Sequence, residues 1–138
     1  MLRALIALLI LSVHLAVQAE PVVVMRAQTA ETLSHEAVTN IFMGRFRALP
    51  SGNPAQPIDQ PRDSPLRAHF YQRLVNKDQT SINAYWSRLH FSGKASPPLQ
   101  TASEDEVIRQ VLRQPGGIAY VRRAQVDSRL RIVFELPP

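Results

Sequence analysis

Pro21-Val22-Val23-Val24-Met25, followed by Ser34-His35-Glu36-Ala37-Val38-Thr39-Asn40-Ile41-Phe42-Met43-Gly44, is the stretch on which the fold turns. The first five residues form a β-branched run that is long enough for a buried strand and too short for a helix. Ser34 then stands as an N-cap before Ala37, Val38, Ile41 and Phe42, which recur at helical spacing, and Gly44 follows where a left-handed cap would end the helix. A strand, a loop and a helix are therefore predicted in that order.

Upstream, Met1 to Arg3 supply a start and one positive charge, Ala4 to Val17 is an apolar run broken only by Ser12 and His14, and Val17-Gln18-Ala19 places small or β-branched residues at a cleavage position. This is the pattern of a secretory signal peptide, and cleavage is expected after Ala19. The run falls short of the ~20 apolar residues that span a bilayer, so no stable membrane insertion is expected after cleavage. The chain has no cysteine, which excludes a disulfide framework and a lipid-modified cysteine. Export joined to a cysteine-free chain points to a bacterial periplasm.

Residues 20–138 make one domain of common size. Downstream of Gly44, the segment through Pro50-Ser51-Gly52-Asn53-Pro54 has turn chemistry. Gln56 to Gln60 is a short strand around Ile58. Ser64 and Pro65 then start a helix with Leu66, Phe70 and Leu74 on its buried stripe. Ile82, Tyr85, Trp86 and Leu89 define another helix, which Phe91-Ser92-Gly93 closes, and Ser96-Pro97-Pro98 is an extended connector. Ser103 to Glu106 matches a capping box ahead of Val107, Ile108, Val111 and Leu112. Pro115-Gly116-Gly117 breaks that helix, and Ile118 to Val121 and Ile132 to Leu136 are strands. Strands separated by helices predict a three-layer αβα sandwich with a mainly parallel sheet.

At 45% hydrophobic and 20% charged residues the composition is globular, and eleven prolines against five glycines imply many stiff connections. The formal charge is +5 and the pI near 10.4, one charge of which leaves with Arg3. Anions are the expected partners. Nucleic acid is not, because export removes it and because Arg122, Arg123, Arg129 and Arg131 form a short basic end without interleaved aromatics.

The words Leu33-Ser34, Val38, Ile41-Phe42-Met43-Gly44, then Trp86 with Phe91-Ser92-Gly93, then Val111 and Pro115-Gly116-Gly117-Ile118-Ala119-Tyr120-Val121 occur in that order. Together they resemble the phosphate ABC transporter substrate-binding proteins, from about Val22 to Val133. The likeness is to short members in which one lobe of the type 2 periplasmic binding fold stands alone. The resemblance implies a phosphate or other oxyanion ligand, and an ABC permease as partner. It also implies a binding segment before the second helix, where an arginine precedes Ser-Gly-Thr. Of that motif Ser64 matches, while Gln60, Pro65 and Leu66 stand at the arginine, glycine and threonine positions. Leu49 stands where a tryptophan is usual, and Gly117 and Ala119 exchange the usual order of small residues.

Read from the residues alone, Arg62-Asp63-Ser64-Pro65-Leu66-Arg67 is the best anion site, because a helix N-terminus presents unsatisfied N–H groups and a partial positive charge. Its candidate ligand-binding residues are Ser64, Arg62 and Arg67, to which the resemblance adds Gln60 at the family's arginine position. The same segment also reads as an ordinary capped helix, and Asp63 would repel an oxyanion. No catalytic function, cofactor or metal is expected: His35, His69 and His90 lie at no ligand spacing, and neither a nucleophile elbow nor a phosphate loop is present. Glu104-Asp105-Glu106 is what a helix dipole selects in a first turn. A second reading is an adaptor that contacts an envelope protein or an anionic wall polymer through Arg122, Arg123, Arg129 and Arg131.

Overall fold

The computed structural model describes all residues from Met1 to Pro138. Strand β1 (Pro21–Arg26) shows why a five-residue apolar run decides the architecture. Its side chains alternate between two cores, Val23 and Met25 on one face of the sheet and Val22 and Val24 on the other, and all four are buried. On the first face lie helices α2 (His35–Phe42), α3 (Pro65–Val75) and α4 (Gln79–Ser92). On the second lies α5 (Glu104–Arg113), which contributes Val107, Ile108 and Val111. A strand covered on both sides needs apolar residues at every position, and the sequence supplies them.

The sheet has five strands in the order β3-β2-β4-β1-β5, where β2 is Gln56–Asp59, β3 Leu99–Gln100, β4 Gly117–Arg122 and β5 Leu130–Glu135. β2 is parallel to β3 and β4, and β1 is antiparallel to β4 and β5. Four strands thus share one direction and β1 alone opposes them. β4 ends level with Pro21 and β5 begins level with Arg26, so the connection Arg123–Arg129 traverses the length of β1. It does so on the α5 face, where Val126 packs against that core. The two strands it joins are therefore parallel, with β1 held between them.

The caps form where the sequence places them. Ser34 Oγ accepts from the Ala37 N–H at 3.1 Å, Ser64 Oγ from Arg67 at 3.4 Å and Ser103 Oγ from Glu106 at 3.2 Å. Gly44 follows α2 with φ +71°. The capping box at Ser103 closes on one side only. Glu106 turns its carboxylate forward to Arg109, at 2.7 and 2.9 Å, and to Gln110 at 2.7 Å, because a guanidinium is a stronger donor to a carboxylate than a neutral backbone N–H. Two elements lay outside the sequence reading. Asp78 caps α4, accepting from Ser81 N–H at 2.8 Å, and β3 is a two-residue edge strand after Pro97-Pro98.

The other edge, β5, is longer. Segment 27–34 doubles back against it: the Leu33 N–H donates to the Val133 carbonyl at 2.9 Å, and Arg131 Nη1 donates to the Thr29 carbonyl at 2.7 Å. Val133 is the extra residue where the register with β1 shifts between Val23 and Val24, so its carbonyl is free for this use. Helix α1 (Leu2–Ala19) has no buried residue. Because it extends past both ends of the apolar run read from the sequence, it is long and apolar enough to cross a membrane by length and composition, which corrects the expectation that the run falls short. That is compatible with a signal peptide.

Candidate functional site

Ligands of open α/β sheets sit outside the carboxyl ends of the strands. Here the last residues of β2 and β3, Asp59 and Gln100, open onto a cavity of about 240 Å³ that Arg62, Arg67, Asn83, Ser87 and His90 also line. The N-terminus of α3 forms one side and α4 the other.

Asp59, which the sequence reading did not single out, organises the floor. Each of its carboxylate oxygens accepts two hydrogen bonds. Oδ1 receives the Gln60 N–H at 3.0 Å and the Tyr120 hydroxyl, and Oδ2 receives Arg67 Nε at 3.0 Å and the Tyr71 hydroxyl at 3.2 Å. Four donors saturate an ionised carboxylate. Its backbone carbonyl accepts from Thr101 Oγ1 at 2.8 Å. Arg67 and Asp59 each leave only 3% of their side chains exposed, so the pair is a buried ion pair with all of the carboxylate's capacity used.

Arg67 is spread across the floor. Nη1 donates to Gln79 Oε1 at 3.0 Å, Asn83 Oδ1 at 3.1 Å and the Arg62 carbonyl at 3.5 Å, while Nη2 makes no hydrogen bond. Burial works against its charge, and the adjacent Asp59 carboxylate outweighs that effect, so the guanidinium is held charged more firmly than usual. Burial, with the same carboxylate second, pushes the Tyr71 and Tyr120 hydroxyls well above the ordinary phenol range.

The pH dependence follows. In the unfolded chain both phenols ionise near the ordinary value of about 10, whereas in the folded protein they stay protonated to higher pH. Stability from this source is complete below pH ~10 and lost as pH rises through and beyond it, because there the unfolded state binds fewer protons. Two of the three tyrosines should therefore stay silent in a 295 nm absorbance titration until the far-ultraviolet signal collapses. Ionisation of all three while the fold persists would contradict the saturated network.

The four residues read from the sequence divide between different tasks. Arg62 and Arg67 reach the cavity. Ser64 does not line it: its Oγ caps α3 and its carbonyl accepts from Gln79 Nε2 at 3.3 Å. Gln60 is fully buried, and its Nε2 donates to the Tyr120 carbonyl at 2.8 Å. It belongs to the core rather than to the cavity wall. Asp63, read as a repulsive neighbour, is absent from the lining. Asn83, Ser87 and His90 were not legible as site residues, since they share the outward side of α4 with no motif among them.

The basic C-terminal end is largely neutralised. Arg122 forms a two-point pair with Glu104 at 3.0 and 2.9 Å, Arg123 pairs with Glu135, and Arg129 pairs with Asp127 at 2.7 Å. Of the four arginines only Arg131 has no carboxylate partner. The adaptor reading that rested on them keeps one unpaired charge of the four, Arg131.

No protein-family model matches the sequence, and no curated protein matches it. Among solved structures the chain is similar to a Clostridium perfringens protein described as a phosphate ABC transporter substrate-binding protein, crystallised with bound phosphate. The two share 12% sequence identity with a TM-score of 0.65 over 83% of this chain, which spans 44% of that one. At that identity the likeness is one of fold: an αβα arrangement like a lobe of a periplasmic binding protein.

Proposed function

We propose that this chain is an exported, periplasmic solute-binding-type protein, not an enzyme, that receives a small oxyanion such as phosphate where β2 and β3 end. The observation that carries this reading is Arg67, a guanidinium buried at the cavity floor whose Nη2 has no partner in the protein. Arg62 at the rim, unpaired with any carboxylate, supplies a second donor of the same sign, and the side-chain amide of Asn83 a third. The similarity to a phosphate-bound structure, and the position of the cavity at the carboxyl end of the sheet, support it. The apolar α1 helix supports export.

The affinity follows from the same geometry. A millimolar dissociation constant needs about 4 kcal/mol, and a charge-assisted hydrogen bond contributes about 1.5–3 kcal/mol. Asp59 lies 3.0 Å from Arg67 and offsets most of its charge, so binding by this chain alone is expected in the millimolar range. Tighter capture would need a second surface closing over the cavity, from another copy or from a permease. Titration of labelled protein with inorganic phosphate should shift the amides of residues 60–67 and 83–90 together. Arg62→Ala should weaken binding about five- to tenfold, with the thermal midpoint unchanged. An absence of both heat and shifts at millimolar phosphate would remove the oxyanion reading.

A further inference from the structure

A second hollow lies elsewhere and has the opposite character. Between α2 and the segment that follows it runs a groove of about 530 Å³, within the range of small-molecule sites. Its floor is Ile41 and Leu49, both buried, and its walls include Ala37 and Phe46. Phe46 is 56% exposed, although the groove could accommodate an apolar surface against it.

Phe46 sits between Arg45 and Arg47, which also line the groove. Neither forms an ion pair. Arg45 has one long contact, Nη1 to Asn40 Oδ1 at 3.5 Å. Both therefore stand without a counter-charge in the lining of an apolar trough. An aromatic wall, an aliphatic floor and two unpaired arginines in the same lining complement a ligand with an apolar body and a single anionic end.

We infer that this groove binds a free aliphatic carboxylate of medium chain length, the chain lying on Ile41 and Leu49 against the Phe46 ring and the carboxylate meeting Arg45 and Arg47. The site is separate from the oxyanion cavity. It needs neither that cavity to be occupied nor the reading placed on it to hold.

The test uses the full chain titrated with decanoate below its micelle concentration, followed by amide shifts. Decanol and decyltrimethylammonium serve as uncharged and cationic counterparts. Decanoate is expected to shift α2 and residues 45–50. Decanol should bind about fivefold more weakly, as expected for two solvent-facing charge contacts, and the cation should not bind. Arg45→Gln with Arg47→Gln should bring decanoate down to decanol, and Phe46→Ser should weaken both, with unchanged thermal midpoints in each variant. Equal binding of decanoate and decanol, or shifts confined to Leu2–Ala19, would overturn the proposal. So would a concentration-dependent dimer abolished by Phe46→Ser, since the groove would then hold a second copy.

Discussion

Asp59→Ala is expected to lower stability by about 3–5 kcal/mol, the cost of leaving a buried guanidinium without its counter-charge. That magnitude rests on the 3.0 Å contact to Arg67 and on the near-complete burial of both side chains. Two phenols lose their acceptor at the same time. In urea the midpoint should fall with an unchanged slope, which marks a change in stability rather than in the surface exposed. Asp59→Leu combined with Arg67→Met removes both charges and should recover only part of the loss, because the Tyr71 and Tyr120 hydroxyls stay buried without an acceptor. Adding Tyr71→Phe and Tyr120→Phe should recover more. An Asp59→Ala midpoint within error of the parent would mean the network does not hold the sheet to α3.

The second large effect belongs to Gly116. Its φ of +72° is one that side chains disfavour, and a Cβ at that position would lie 1.9 Å from the carbonyl oxygen of Pro54. That oxygen is backbone and cannot rotate away. The neighbouring Gln56 N–H donates to the Gly116 carbonyl at 2.9 Å, so moving the loop also strains the start of β2. Gly116→Ala is expected to cost roughly 2–4 kcal/mol, backbone strain plus a damaged hydrogen bond. Gly52→Ala is the matched comparison. Gly52 has φ +91°, and no atom lies within 4 Å of where an alanine methyl would stand, so the change should cost only about 1 kcal/mol. Equal losses in the two variants would show that the approach of Pro54 carries no energy.

Much of this architecture was legible because local chemistry and long-range packing agree. The run Pro21–Met25, the serine caps at 34, 64 and 103 and the stop at Gly44 each needed only neighbours to be read. The alternation of strands and helices led to the sandwich, which the similarity of fold supports. What escaped was non-local. Asp59 looks like the polar end of a short strand, and its significance lies in Arg67 and Tyr71 one helix away and Tyr120 two strands later. β3 has no periodicity to detect, since two residues after a diproline carry no pattern. The reversed direction of β1 depends on a crossover of seven residues whose path no composition reveals.

Segment 27–34, laid along the outermost strand, has a consequence for how the molecule behaves among its own kind. A long naked margin invites a neighbour to extend the sheet, and such growth is self-propagating. Here the bulged carbonyl of Val133 is already taken by Leu33, and the opposite margin is only two residues long. The longer rim is thus partly covered and the shorter one offers only two residues, so extension of the sheet by a second copy is disfavoured by the backbone itself and not by surface charge alone.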